Sequence, residues 1–370
     1  MRVRGKHQIV LVLILVLLAV ACGTSGCGNG EDGSKARGSR PEARDEDGMQ
    51  PLPIGEVETW AYQLSGLSEP GAVRALEESR YDMLVLEPTC TDWSGDDRDF
   101  DTAGMVERLK RSPAGDGIHR KLVLAYLNIG EAEDWRWYWT WSREWRAGEP
   151  FPDDWPGFIV APDPDGWEGD YPVAYWDSAW KDIVIYGEGT GSHPDRDYRS
   201  ALGEVMGHGF DGVYLDWVEG YEDPDVAEAA ERQGVDPAEE MAELIGEIRD
   251  YGRRADPDFI VVQQNAAALV RERPETIAYI DAIAKEAIWY DGTSFDDWDD
   301  TGGADVPQDP ELTAYYLELL GTYQGKGLAV FDCEYAAVQA ERAYALSQQR
   351  GFVPYCTRRP LSRLTETPPP

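Results

Sequence analysis

Apolar segments that end abruptly in an acid or an amide recur along this chain, and such ends are where it could do chemistry. In G-F-D-G-V-Y-L-D-W, Gly209 to Trp217, an apolar run stops at Asp216. L-V-L-E ends at Glu87, L-V-L-A-Y-L-N-I-G-E at Asn128 and Glu131, I-V-V-Q-Q-N at Gln264 and Asn265, A-I-A-K-E at Glu286, and L-A-V-F-D-C-E at Asp332 and Glu334. Paired carboxylates suit glycoside hydrolysis, where one carboxylic acid protonates the departing oxygen while the other attacks, or activates water, at the anomeric carbon. Asp216 and Glu286 are the candidate pair. Hydrogen bonds beside Tyr214 and Trp217 can keep Asp216 ionised as a nucleophile, whereas Glu286, between Ala284 and Ile288, has apolar neighbours that raise its pKa as an acid/base requires. Tyr62, Glu87, Tyr126, Asn128, Glu131, Trp176, Trp217, Gln264, Asn265 and Asp332 are candidate substrate-binding residues. Each strand-end acid could instead serve a structural hydrogen-bond layer.

Rival chemistries lack their residues. The chain has four histidines and no G-x-S-x-G turn, which argues against Ser-His-Asp catalysis and histidine zinc sites. No G-x-x-x-x-G-K-S/T motif is present, and no G-x-G-x-x-G follows a strand. D-P-D-G at Asp163 to Gly166 has a faint calcium-loop look without the rest of that pattern, and reads as a solvated loop. No metal and no cofactor are expected.

To bring such ends together the chain needs parallel strands. Eight segments read as strands: Thr59–Leu64, Met83–Glu87, Leu122–Asn128, Gly212–Asp216, Phe259–Gln264, Ala282–Glu286, Leu328–Cys333 and Phe352–Tyr355. Helical patterns lie between them, at Glu69–Ser79, Thr102–Arg111, Pro237–Ala255, Pro310–Gly325 and Ala336–Gln349. Alternating strands and helices predict an α/β fold with a parallel sheet, and eight strands predict closure into a (β/α)8 or TIM barrel with its active face at the strands' C-terminal ends. The longest interruption, between Asn128 and Gly212, holds W-R-W-Y-W-T-W-S-R-E-W from Trp135 to Trp145, and then Trp155, Trp167, Trp176 and Trp180. Flat rings with polar edges on such a loop are suited to stacking on sugars. A packed lid is the alternative.

The N-terminus reads as an address. Arg2, Arg4 and Lys6 precede an apolar run from Ile9 to Ala21 that stops at Cys22, the order of a signal peptide. The run is shorter than the roughly 20 residues that span a bilayer. A-V-A-C resembles a lipoprotein processing box with Cys22 as the lipidated residue. The organisation expected is therefore a signal over 1–21, a flexible tether over 22–56 and a barrel over 57–364. The protein would be exported, and either lipid-anchored to the cell envelope or secreted. In an oxidising compartment one pair among Cys90, Cys333 and Cys356 could form a disulfide, with the pairing open. The formal net charge of −36 argues strongly against a nucleic-acid partner, because phosphate binding needs basic surface. Such a field attracts cationic ligands such as free-amine sugars, or simply keeps the protein soluble. The partner expected is a polysaccharide, with membrane contact only through an N-terminal lipid.

One combination points to a family. Y-Q-L (Tyr62–Leu64), Y-D-M-L-V-L-E (Tyr81–Glu87), A-Y-L-N-I-G-E-A-E (Ala125–Glu133), Y-W-D-S-A-W (Tyr175–Trp180), G-F-D-G-V-Y-L-D (Gly209–Asp216), Q-N (Gln264–Asn265) and K-E (Lys285–Glu286) together resemble glycoside hydrolase family 114 type barrels, which include endo-α-1,4-polygalactosaminidases. The resemblance implies a TIM barrel that cleaves α-1,4-linked galactosamine polymers, with the strand-four Asp and strand-six Glu, here Asp216 and Glu286, as the catalytic pair. Glu87 departs from the Asp that members of this group often carry. Two other readings stay open: a catalytically silent polysaccharide-binding lipoprotein on the same barrel, and a barrel hydrolase for a different polysaccharide. If Cys22 is lipidated, Cys22→Ser is expected to shift the protein from the membrane to the soluble fraction or to block its processing. Unchanged membrane partition on cell fractionation would count against the anchor.

Overall fold

The computed structural model describes residues 48–89, 100–187, 199–295 and 297–370. Cys22, the signal, Cys90 and most of the tether lie outside them. Eight strands form one parallel sheet in chain order: β1 (Trp60–Gln63), β2 (Met83–Leu86), β3 (Leu122–Asn128), β4 (Gly212–Asp216), β5 (Ile260–Gln264), β6 (Ala282–Glu286), β7 (Ala329–Glu334) and β8 (Val353–Cys356). The indole N–H of Trp60 on β1 donates to the carbonyl of Val353 on β8 at 2.9 Å, bringing the sheet's two edges together. The fold is the (β/α)8 barrel that the alternation predicts.

Large rings fill the barrel. Trp60 lies 6.1 Å from Tyr62, 6.0 Å from Tyr214, 5.6 Å from Phe331 and 5.9 Å from Tyr355 between ring centroids. Strand β6 answers them with Ala282 and Ala284, since side chains of alternate residues share a face and small ones leave room for the aromatics opposite. Helices cover the outside. Helix Pro237–Ala255 starts at Asp236, whose carboxylate accepts from the N–H of Ala238 and Glu239, and it buries Met241, Leu244, Ile245 and Ile248 at helical spacing. Asp-Pro also opens helices Pro224–Gln233 and Pro310–Gly325.

Two expectations need correction. The packed chain begins before residue 57, because Gln50 accepts from the N–H of Arg120 at 2.9 Å and Leu52 is buried, and it runs past 364, since the Tyr344 hydroxyl donates to the Thr367 carbonyl at 2.7 Å. Cys333 and Cys356 are both buried free thiols. Although they sit on adjacent strands, Cys333 pairs with Tyr355 while Cys356 pairs with Glu334, and that one-residue offset turns their side chains to opposite faces.

At the N-terminal end of the barrel, Arg120 holds Asp211 through two bonds of 2.8 Å, and Asp211 also accepts from the N–H of Val123. The larger cavity, about 1060 Å³, lies at this end, lined by Thr59, Tyr81 and Asp82, away from the strand-terminal acids. Trp60→Ala is expected to destabilise the barrel by about 3–5 kcal/mol, the cost of removing a large buried ring from a packed interior, read as a lower denaturant midpoint. A change within measurement error would mean that the aromatic interior does not support the fold.

Candidate active site

A cleft of about 290 Å³ opens at the C-terminal ends of the strands, and Asp216, Gln264, Asn265 and Glu286 reach it from β4, β5 and β6. Directly after these strands the backbone turns left-handed, with φ of 56° at Trp217, 55° at Asn265, 48° at Ala266 and 53° at Ala287. Non-glycine residues held this way cost about 1–3 kcal/mol each and concentrate at functional sites. Here the turn leaves each strand-end side chain at the rim while the chain departs sideways. Two glycines make room for Trp217: a Cβ on Gly130 would lie 2.4 Å from its carbonyl oxygen, and one on Gly220 would lie 2.4 Å from its ring.

Asp216 is held on both oxygens. The Tyr126 hydroxyl donates to Oδ2 at 2.6 Å, and the N–H of Trp217 donates to Oδ1 at 2.8 Å. Burial, followed by the charge of Glu286, nevertheless pushes its pKa up to about 7 against those two bonds. The sequence led to the expectation that hydrogen bonds beside Tyr214 and Trp217 can keep Asp216 ionised; the bonds come from Tyr126 and the Trp217 N–H, and desolvation outweighs them.

Glu286 is anchored by Tyr335, whose hydroxyl donates to Oε1, and by Asn265 Nδ2, which donates to Oε2 at 3.1 Å. Asn265 is a hub. Its Oδ1 accepts from Lys285 Nζ at 3.0 Å and from the N–H of Glu286 at 3.2 Å, while Nδ2 also donates to Glu219 Oε1 at 3.2 Å. Lys285 points its ammonium 4.2 Å from the centre of the Tyr316 ring, and burial lowers its pKa. Glu219 was not singled out by sequence reasoning, although D-W-V-E places it one turn beyond Asp216. Its Oε2 is buried without a hydrogen-bond partner, and burial, followed by the charge of Asp216, raises its pKa to about 8.

The other sequence candidates separate into two groups. Tyr62, Glu87, Tyr126, Asn128, Glu131, Trp217, Gln264 and Asn265 line the cleft with Asp216 and Glu286. Glu87 is engaged there, because Arg136 bonds both it and Glu133, and burial raises it to about 7 despite the guanidinium. Asp332 and Trp176 do not line the cleft. Phe331 and Cys333 face the barrel interior, so Asp332 points outward, where the Ser347 hydroxyl donates to it. Trp176 instead donates its ring N–H to Gln233 at 2.9 Å.

Most of the expected stacking platform is packed into the hydrophobic core. Trp139, Trp155 and Tyr171 pack with centroids 4.8 to 5.1 Å apart, joined by Trp141, Trp145 and Phe151. Of the loop's tryptophans only Trp135 and Trp167 line the cleft. Tyr335 and Arg359 also reach it without having been named from sequence; the alternation F-D-C-E-Y could have placed Tyr335 beside Cys333 on the inner face.

Among the described residues, the cleft lining carries eight carboxyl side chains and one guanidinium, Arg359. No group of three or more His, Cys, Asp or Glu among them is arranged to hold a metal ion. The arrangement can therefore supply carboxyl groups for acid, base or nucleophile roles, and its field favours a cation.

The profile of glycoside-hydrolase family GH114 matches residues 39–368. An uncharacterized protein of Deinococcus radiodurans is 28% identical over 319 residues, which cover 84% of this chain and 83% of that protein. The glycoside hydrolase domain of PelA from Pseudomonas aeruginosa is similar in structure with a TM-score of 0.53 at 16% identity, over 83% of this chain and 97% of that domain. Aspergillus fumigatus Ega3, solved in complex with galactosamine, gives a TM-score of 0.54 at 15% identity, over 85% of this chain and 95% of its own. At these identities the likeness to the two structures is one of fold.

The Asp216 carboxyl, followed by carbon NMR, is expected to titrate at about 7, protonated below and ionised above. Tyr126→Phe removes a donor that favours the ionised form, so the midpoint should rise. A downward move in that variant would contradict the hydrogen-bonding scheme.

Proposed function

The chain belongs to glycoside-hydrolase family GH114, and on that premise we propose that this glycoside hydrolase cleaves an α-linked amino-sugar polysaccharide of the α-1,4-polygalactosamine kind. Asp216 is the nucleophile and Glu286 the general acid/base of a retaining reaction. The observation that carries this reading is the convergence of the two carboxyls, from strands two apart, on one cleft whose lining is acidic with a single guanidinium.

A cationic sugar fits both the field and the resting state. Burial pushes Asp216 up to about 7; an ammonium group entering beside it favours the carboxylate and so prepares the nucleophile. Glu286 Oε1 accepts from Tyr335 and Oε2 from Asn265, which fixes the carboxyl plane while it exchanges a proton with the glycosidic oxygen. Asp216 attacks the anomeric carbon as Glu286 protonates the leaving oxygen. Water, deprotonated by Glu286, then releases the sugar from Asp216 and restores both groups. Trp135 and Trp167 are the aromatic faces available for sugar rings. A lipid on Cys22 would place this activity at the cell envelope.

Asp216→Asn and Glu286→Gln are each expected to stay folded and lose ~10³-fold or more of the rate on a deacetylated α-1,4-galactosamine polymer, since each removes a group used in the transition state. NMR of the first-formed product should show the α anomer. Wild-type turnover in either folded variant overturns the assignment of that residue, and a β product overturns retention. Binding without turnover in the unmutated protein supports the silent binder, and cleavage of neutral polymers alone supports a different polysaccharide.

A further inference from the structure

Lys285 stands directly before Glu286, and the reaction makes no direct use of it. Alternation along β6 turns Ala284 and Glu286 into the barrel and Lys285 out of it. The residue is only 9% exposed and does not line the cleft. Helix Pro310–Gly325 covers it there, with the centre of the Tyr316 ring 4.2 Å from Nζ. Nζ donates to the Glu286 carbonyl at 2.7 Å and to Asn265 Oδ1 at 3.0 Å. An ammonium group has three N–H donors, and two hydrogen bonds with one ring face account for all of them. Burial lowers its pKa, while the charges of Glu286, Glu219, Glu334 and Asp291 act the other way.

Asn265 is where this group acts. An asparagine amide accepts two hydrogen bonds at oxygen and donates two from nitrogen, and here all four are made. Oδ1 accepts from Lys285 Nζ and from the N–H of Glu286, while Nδ2 donates to Glu219 Oε1 at 3.2 Å and to Glu286 Oε2 at 3.1 Å. The two sides of the amide cannot be exchanged. A half-turn would aim Nδ2 at an ammonium and an N–H, and Oδ1 at two carboxyls, setting like groups against each other. Without Lys285 one of the two donors that fix Oδ1 is gone. The Glu286 carboxyl would then be held firmly on Oε1 alone, by Tyr335.

We propose that Lys285 is a positioning residue for the general acid/base: seated on the Tyr316 ring, it locks the Asn265 amide so that its NH2 group spans Glu219 and Glu286 and keeps the Glu286 carboxyl aimed at the glycosidic oxygen. The inference rests on the acid/base assignment of Glu286 above and adds the residues outside the cleft that aim it. Tyr316 takes part through its ring, not its hydroxyl.

The test compares wild type, Lys285→Met, Tyr316→Leu, Tyr316→Phe and Glu286→Gln. Methionine keeps the length of the lysine stem without its charge or donors. The side-chain amide protons of Asn265, followed by nitrogen NMR, are expected to exchange with water about tenfold or more faster in Lys285→Met than in the wild type, the effect of losing one charge-assisted hydrogen bond. Tyr316→Leu should move the same way by less, and Tyr316→Phe should restore the wild-type rate of exchange. On deacetylated galactosamine oligomers kcat/KM of Lys285→Met is expected to fall about 10²-fold, the cost of a misplaced catalytic group. On a dinitrophenyl α-galactosaminide, whose leaving group departs without a proton, the fall should stay within about threefold. Glu286→Gln should show the same contrast more strongly. In an Asn265→Ala background, Lys285→Met should cost nothing further, since the two act as one unit.

An Asn265 amide that exchanges as slowly in Lys285→Met as in the wild type overturns the lock, with no substrate needed. Equal loss on the oligomers and the aryl glycoside, or the full loss again in the Asn265→Ala background, overturns the positioning role. Exchange as fast in Tyr316→Phe as in Tyr316→Leu overturns the ring contact. Glu286→Gln without the leaving-group contrast removes the acid/base assignment and this inference with it, whereas the contrast in Glu286→Gln but not in Lys285→Met removes the inference alone.

Discussion

Carboxyl groups that share a water-poor cleft disfavour one another's ionisation, and this repulsion is the constraint around which the active end of the barrel is arranged. The protein meets it in three ways. Donors are aimed at the oxygens that matter: Tyr126 and the Trp217 N–H on Asp216, Tyr335 and Asn265 on Glu286. A single guanidinium, Arg136, serves Glu87 and Glu133 together. Protons provide the rest, since burial raises Asp216, Glu219 and Glu131 into or above the neutral range. A positive charge entering a site poised in this way favours ionisation of its carboxyls, so on the proposed reading affinity for a cation and readiness of the nucleophile come from one cause.

Such an arrangement needs a rigid base, because an acid free to swing away would relieve the repulsion by reaching water. The aromatic interior below the cleft supplies that base. Trp60 contacts rings from β1, β4, β7 and β8, so the strands that carry Asp216 and the base of Tyr335 cannot shift separately. On the outer side of β7, Glu334 accepts from the N–H groups of Ile288, Trp289 and Tyr290. That carboxylate pins the chain just after Glu286, and the left-handed turn at Ala287 is held between the two.

The tryptophan-rich loop shows how one composition supports different readings. Rings at close spacing can stack on sugars or on each other. Trp139, Trp155 and Tyr171 pack on one another and join the hydrophobic core rather than face a ligand. That packing holds the segment from which Asp165, Trp167 and Asp170 line the cleft. The loop's contribution to the site is therefore more acidic than aromatic.

The strands, their order and the acids that end them were legible in the chain, because a buried parallel strand must be apolar through its length and a polar residue at its end has to leave the sheet. Asp216, Glu286, Asn128 and Asn265 followed from that rule. Asp332 did not, since period-two alternation divides a strand into two faces without saying which one the barrel encloses; the size of Phe331 beside Trp60 settled it. The Cys333 and Cys356 side chains were parted by the same alternation once the register was set. Glu219, Tyr335 and Arg359 come to the cleft from loops far apart in sequence, and Asp163 meets Glu131 only through a ribbon formed across the long insertion. Local spacing determined which groups could stand at a strand's end, whereas closure of the barrel and packing of its loops decided which of them meet, because those contacts depend on distances between segments that no local pattern encodes.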